Sequence, residues 1–440
     1  MSNWYRELEP AQRRTFWACF SGWGLDAMDT QIYALSIPTL IALWGMTKGE
    51  AGILGTAVLV MAAFGGWLAG ILADRYGRAR ILQVTIVWFS LFTFLSGLTD
   101  NFWQLLATRC LQGLGFGGEW AVGSVLISEA IGPRIRGRAV GAIQAGWAVG
   151  YAIAVMISYL LFTYLPKDIA WRVFFFFGMA PALLVIWIRR NIEDAPVYLR
   201  ARESASLASG GKQSESPHPM WEIFSRSHLR TTLVAVLLTF GIYGGNYVMI
   251  TWLPAYLKIA LNLSIASVSG YLAINILGSF AGAFLNGWLA DGIGRRRTFM
   301  VIACCQAVAV ATYTLAPIDL SVTLVLGFVL GTLQSGTAAG TGAFLAELFP
   351  TRIRGSAQGF CGNAGRAAGA ILPTLVGLLA NGIPLGTAMG SCACGAYAIV
   401  VLAAFLLPET RGRNLATMQM DAVERDDAAP VAQARKEAIP

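Results

Sequence analysis

Charge is scarce in this chain. Only 13% of its 440 residues are Asp, Glu, Lys or Arg, while 56% are hydrophobic and 49 are glycine. A water-soluble fold of this size needs a charged exterior that this composition cannot supply, so the solvent is largely lipid. Histidine is nearly absent: His218 and His228 both fall in one polar stretch in mid-chain. The usual side chain for proton transfer near neutral pH is therefore missing from every apolar segment. No Gly-rich loop ending in Gly-Lys-Ser/Thr is present to cradle nucleotide phosphates, and no His/Cys cluster has metal-ligand spacing. No cofactor, no metal and no enzymatic role are expected. The cysteines (Cys19, Cys110, Cys304, Cys305, Cys361, Cys392, Cys394) form no CxxC pair and read as small packing residues. The N-terminal MSNWYRELEPAQRR has no apolar core before a cleavage site, so no removable signal peptide is expected.

Long apolar runs are present instead. A spanning helix needs about 20 mostly apolar residues, and runs qualify near 15–40, 51–73, 81–99, 103–128, 139–164 and 171–190. A second set follows near 231–257, 265–290, 298–316, 320–346, 356–380 and 386–407. None shows the period-2 alternation of a membrane barrel. The fold class is an all-α membrane protein with twelve transmembrane helices.

Basic residues fix the expected orientation, because Lys and Arg flanking short loops stay on the cytoplasmic side. With both termini inside, 26 of the 32 Lys and Arg residues fall in inner segments and 4 in outer loops (Lys48, Lys167, Arg172, Lys258); Arg109 and Arg366 lie within spans. The expected location is the inner (plasma) membrane, multi-pass, with cytoplasmic termini. The net charge of +8 is thereby a topology signal, and no nucleic-acid partner follows from it. Trp44, Trp103, Trp171 and Trp252 lie near span boundaries and are expected to form an aromatic belt.

The two halves repeat. GILADRYGRAR (Gly70–Arg80) returns as GWLADGIGRRR (Gly287–Arg297), and EAIGPRIRG (Glu129–Gly137) returns as ELFPTRIRG (Glu347–Gly355). Between the halves lies SASLASGGKQSESPHP, a Ser/Gly/Pro-rich linker. The expected division is an N-terminal six-helix bundle over 1–190, a cytoplasmic linker over 191–228, a C-terminal bundle over 229–410 and a polar, disordered tail over 411–440. A repeat of this kind places a substrate cavity between the halves, with alternating access by rocking one half on the other.

At this point the motifs meet a family. Gly70, Asp74, Arg75, Gly77, Arg78 and Arg80 resemble the signature loop of the major facilitator superfamily, and Gly287, Asp291, Gly294, Arg295, Arg296 and Arg297 resemble its second copy. Arg109, Gln112, Gly113, Gly115 and Gly118 are similar to its fourth-helix motif, and PETRG (Pro408–Gly412) to its ending. LDAMD in the first span with GFGGEW in the fourth looks like the sialate and monocarboxylate proton symporters; GRAAG in the eleventh is more like the aromatic-acid and nicotinate branch. The resemblance implies a cytoplasmic charge latch built from Gly70, Asp74, Arg75, Arg78, Asp291 and Arg295, its glycines letting helices approach closely. Gly292 departs from the second copy, which often carries a charge there, so a weaker latch is expected in that half. The bland alternative for the arginines is positive-inside anchoring.

Ionisable groups inside the spans carry the functional reading, because each costs at least about 2.5–3.5 kcal/mol at a helix centre. There are five: Asp26, Asp29, Arg109, Glu119 and Arg366. Counting along the helical rise puts Asp29 roughly 21 Å deep, level with Arg109. An Asp29–Arg109 pair is geometrically sensible, and in the related sugar carriers the matching residues are the coupling pair. Asp26 either joins this proton work or caps a break in the first helix beside Gly22 and Gly24. Glu119 is either a second proton site or a packing contact. Arg366, roughly 15 Å deep, either anchors a substrate carboxylate through a two-bond fork or pairs permanently with Glu119 or Asp26. Tyr243, Asn246 and Tyr247 flank Gly244 and Gly245 on the seventh span, where the paired glycine can loosen the helix. Asn246 resembles the seventh-helix asparagine of the sugar carriers. Gln112, Gln144, Trp147, Tyr151 and Asn363 either line the cavity or pack between helices.

The expectation is proton-coupled uptake of a small organic carboxylate (monocarboxylate, sialate, muconate or aromatic acid) by a single chain, with small organic anion, protons and the lipid bilayer as its partners. The alternatives are a drug-type proton antiporter and an uncoupled facilitative carrier. The fifth span lacks the Gly-Pro pair typical of the antiporters, and a midplane arginine disfavours cationic cargo.

Overall fold

A computed structural model describes residue 5 and residues 8–130, 133–182, 222–317, 319–350 and 353–410. The first half runs α1 (Pro10–Trp44), α2 (Lys48–Tyr76), α3 (Arg78–Ser96), α4 (Phe102–Ala130), α5 (Pro133–Tyr164) and α6 (Lys167–Phe176), the last followed by a 3-10 turn. The second half runs α7 (Leu229–Ala255), α8 (Ile265–Ile293), α9 (Arg295–Leu315), α10 (Leu320–Leu348), α11 (Arg354–Gly369), α12 (Leu372–Leu379) and α13 (Leu385–Leu406). α11 and α12 are two parts of the eleventh span. Seven of the described helices are long and apolar enough to cross a bilayer by composition alone. α1, α4 and α11 hold the ionisable residues.

Local chemistry sets the helix ends. Pro10 opens α1 behind a capping box of Glu9 and Gln12, and Gly45 closes it in the left-handed conformation. Thr47 and Glu50 cap α2 reciprocally. The sharp joints α2–α3 and α8–α9 turn on Gly77 (φ 101°) and Gly294 (φ 99°), backbone angles that a side chain disfavours. That is why both signature loops carry glycine there. The eleventh span breaks just before Pro373, which has no N–H to continue the helix.

Packing repeats between the halves. α2 and α3 pack on α4 and α1 on α5; correspondingly α8 and α9 pack on α10 and α7 on α11. These are two pseudo-symmetric six-helix bundles. The α1–α5 crossing is close enough that a β-carbon on Gly150 would lie 1.6 Å from the carbonyl oxygen of Gly24. Backbone contact of this kind is how helices gain packing energy when lipid supplies no hydrophobic drive.

The bundles meet through α2 against α12, α5 against α8, and α1 against α7. At the end holding the α1–α2 loop they are tied by hydrogen bonds. Lys48 Nζ donates to the Ala380 carbonyl (2.9 Å), Thr56 Oγ1 to the Ala370 carbonyl (2.7 Å), and Thr374 Oγ1 to Thr56 Oγ1 (2.7 Å). The break in the eleventh span thus places a carbonyl where the other half can use it. At the opposite end the C-terminal bundle binds its own charges: Arg295 Nε reaches Glu347 (3.3 Å), its backbone N–H donates to Glu409 (2.9 Å), and Thr410 donates to Glu347 (2.5 Å).

Several expectations need correction. α1 runs unbroken through Gly22, Gly24 and Asp26, so Asp26 caps no helix break. Gly244 and Gly245 leave α7 intact: the first sits against Gly369 and Leu372, the second under the Tyr397 ring. The irregularity comes later, where Pro254 precedes a π-turn over Tyr256–Ala260. Gly70 faces open space, so the close approach expected there does not occur. Trp171 and Trp252 are fully buried; Trp171 packs on Trp44, and Trp252 donates its indole N–H to the Pro373 carbonyl (3.0 Å). Of the expected belt, Trp103 is exposed. Cys304 and Cys305 are exposed, whereas Cys19, Cys361 and Cys392 are buried packing residues. Most of the linker and the whole tail beyond residue 410 lie outside the described residues; residues 222–228 dock on the second half through Ile223 and Phe224.

Candidate functional site

Two charged constellations face each other across the bundles. The first sits where α1, α3 and α4 converge. The Asp29 carboxylate is 1% exposed and accepts from Thr93 Oγ1 (2.6 Å) and from the Gln112 amide. Gln112 in turn accepts from Arg109 Nη1 (2.8 Å). Asp29 and Arg109 form no direct ion pair within 4 Å and are linked through Gln112. The glutamine bridges them, presenting its carbonyl to the cation and its NH₂ to the anion. The Arg109 guanidinium also lies over the Tyr33 ring at 4.4 Å, a cation–π contact, and Tyr33 is held by its hydroxyl to the Ala51 carbonyl (2.5 Å).

Thr93 has one hydroxyl hydrogen but two acceptors in range, Asp29 Oδ1 and its own helix carbonyl at Phe89 (2.9 Å). With Asp29 ionised, the hydroxyl turns to the carboxylate. With Asp29 protonated on Oδ1, the acid donates to Thr93 and Thr93 donates to Phe89, while Oδ2 still accepts from Gln112. Both charge states are satisfied with only a hydroxyl rotation.

The second constellation belongs to α7 and α11. Arg366 Nε donates to Tyr247 (3.3 Å), and its guanidinium lies 5.3 Å from the Tyr243 ring centroid. Tyr243 and Tyr247 stack at 6.0 Å. Among the described residues Arg366 forms no ion pair within 4 Å, but the buried Asp26 on α1 is near enough for its charge to act on it. Arg366 is half-buried, so part of its fork stays accessible.

A cavity of about 20 Å³ lies beside the first constellation and reaches Tyr247 of the second, lined by Asp29, Thr30, Tyr33, Arg109, Tyr247 and Thr251 among others. It has room for about one water. Tyr247 therefore stands in both sites. Asn246 faces the other way, into a neutral network where Gln306 donates to Tyr397 (2.7 Å) and Tyr397 approaches Asn246 (3.4 Å). Trp147 is half-buried on α5 and packs on Trp23 (5.0 Å), Tyr151 is buried, and Asn363 is exposed on α11. The side chains of Glu119, Gln144, Asp74, Arg75, Arg78 and Asp291 lie outside the described residues.

Thr93, Tyr33, Thr251 and Trp23 were missed from sequence. A threonine in an apolar run is visible there, but which helix it faces is not.

The profile of the Major Facilitator Superfamily matches residues 19–323 and 238–426. The chain belongs to this superfamily. It is similar to a probable 4-methylmuconolactone transporter of Cupriavidus pinatubonensis, 43% identical over 98% of this chain and 99% of that one. It is also similar to the cis,cis-muconate transport protein of Acinetobacter baylyi, 30% identical over 82% of this chain and 86% of that one. A solved D-xylose–proton symporter shares the fold, with TM-score 0.72, 19% identity and coverage of 91% and 99%. As a member of this superfamily the chain is a multi-pass membrane transporter and not an enzyme.

Proposed function

We propose that this superfamily member is a proton-coupled importer of a small organic carboxylate, with Asp29 carrying the proton and Arg366 anchoring the anion. The observation that carries the reading is Tyr247, which binds Arg366 and lines the cavity beside Asp29 and Arg109. Charge balance supports coupling. The four described ionisable side chains of the site, Asp26, Asp29, Arg109 and Arg366, sum to zero when ionised, and the proposal takes Glu119, whose side chain lies outside the described residues, as neutral. Protonating Asp29 leaves one net positive charge in a low-dielectric interior, and an entering carboxylate cancels it. Proton and anion each make the other's entry cheaper, the condition for symport.

The excess of Lys and Arg in the inner loops supports an orientation with both termini in the cytoplasm of the inner membrane. In that orientation the hydrogen-bonded end is the outer gate, and this conformation is closed to the outside. One chain contains every group the scheme uses, so a monomer suffices. The signature-loop groups Asp74, Arg75, Arg78 and Asp291 are proposed as the inner latch, with Arg295 bracing its own half through Glu347.

The test is substrate-dependent acidification of proteoliposomes across a panel of muconate, a muconolactone, benzoate, nicotinate, sialic acid and lactate. Names of similar proteins favour muconate-derived acids, each of which offers a carboxylate to Arg366. One proton should enter per singly charged acid. Acid uptake without luminal acidification would remove coupling; no uptake of any carboxylate would remove the substrate class.

A further inference from the structure

A second cleft lies at the charged-loop end of the C-terminal bundle, where α7, α9 and α13 meet. It encloses about 330 Å³ and is lined by Arg230, Thr231, Val234, Arg296, Phe405 and Leu406, with Leu407 and Pro408 at its rim. That is the scale of a ligand pocket, about 300–1,000 Å³, and more than one small anion fills. We infer that it holds the headgroup of an anionic phospholipid from the leaflet at that end.

Charge is the first argument. Among the described residues neither Arg230 nor Arg296 forms an ion pair. Arg296 rests on the Phe405 ring at 5.1 Å, a contact that orients the guanidinium without neutralising it. Of the described carboxylates nearby, Glu409 accepts from the backbone of Arg295 and Thr410, and Glu347 from the Arg295 and Thr410 side chains. α7 and α9 both present their N-terminal ends here, adding partial positive charge.

Shape is the second. One wall is polar; the other continues along the outside of the bundle through Leu233, Leu237, Leu402 and Phe405, which are 46–59% exposed. An inorganic anion would use the arginines and leave that wall bare, whereas a lipid uses both, its phosphate on the guanidiniums and its acyl chain along the leucines. Basic pockets between spans are recurrent sites for such headgroups.

Native mass spectrometry of the full chain, loaded with phosphatidylglycerol or phosphatidylcholine, tests this. The wild type should retain phosphatidylglycerol preferentially. Each of Arg230→Gln and Arg296→Gln should lower that retention about fivefold, and the double variant on the order of 25-fold. Arg297→Gln, exposed on the same helix but outside the lining, should retain it. Leu406→Trp fills the apolar wall with both arginines in place and should weaken retention too, which separates lost lipid binding from a misfolded double variant. A double variant with undiminished preference would overturn the assignment. So would displacement of the lipid by millimolar inorganic phosphate, which would make this a free-anion site.

Discussion

Replacing Asp29 by Asn separates charge from shape at the centre of the proposed mechanism. The carboxylate takes hydrogen bonds from Thr93 and Gln112, and Gln112 hands its carbonyl to Arg109. Asn can keep these contacts: its carbonyl accepts from Gln112 and its NH₂ donates to Thr93, whose hydroxyl turns to the Phe89 carbonyl as it does for the protonated acid. Gln112 keeps its orientation, because a flip would turn its NH₂ to the guanidinium. The change is therefore one of charge: Arg109 loses its compensating carboxylate. The loss falls near the 3–5 kcal/mol typical of halving a buried pair. A fold worth about 5–15 kcal/mol survives this, weakened. In proteoliposomes with an inward gradient of about one pH unit, one coupled proton supports roughly tenfold accumulation of the acid. The variant should merely equilibrate it, while counterflow exchange continues. Adding Arg109→Gln should recover most of the thermal stability, because it removes the orphaned cation, without recovering accumulation. Several-fold uphill uptake by Asp29→Asn would refute the proton role. A double variant as unstable as the single would refute the charge compensation.

Arg366→Lys keeps the charge and loses the planar fork, so affinity for a carboxylate should fall about tenfold by equilibrium binding, with less loss for a neutral analogue. Tyr247→Phe removes the hydroxyl that Arg366 holds and should weaken binding about fivefold, the worth of roughly one hydrogen bond, again by equilibrium binding. Gly377→Ala would place a β-carbon 2.3 Å from the Lys48 carbonyl oxygen and strain the tied end by about 1–3 kcal/mol. A cysteine introduced at Thr374 should then react faster with a membrane-impermeant thiol reagent; an unchanged rate would mean this contact does not hold that end shut.

Much of the fold was legible because lipid imposes few solutions. Runs of apolar residues fix the spans, and the doubled signature loops fix the repeat, down to the glycines at 77 and 294 whose angles the joints require. Buried charges were legible as a candidate site because an ionisable group in hydrocarbon is costly. Arg109 and Asp29 could even be placed at one level by counting residues. Their mode of contact could not, because the bridge is a side chain on α4 whose reach depends on how α1, α3 and α4 pack. Trp252 and Trp171 were misread for the same reason: position along a helix gives depth, but burial depends on the facing helix.

The sequence by itself determined the solvent, the spans, the twofold repeat and which residues carry charge into lipid, since each follows from composition and spacing along one chain. Only the tertiary structure decided which of those residues meet: Gln112 between Asp29 and Arg109, Tyr247 between Arg366 and the Asp29 cavity, and Thr56 on a carbonyl of the opposite bundle. Such meetings depend on the rotation of each helix about its axis, and close packing of many faces sets that at once.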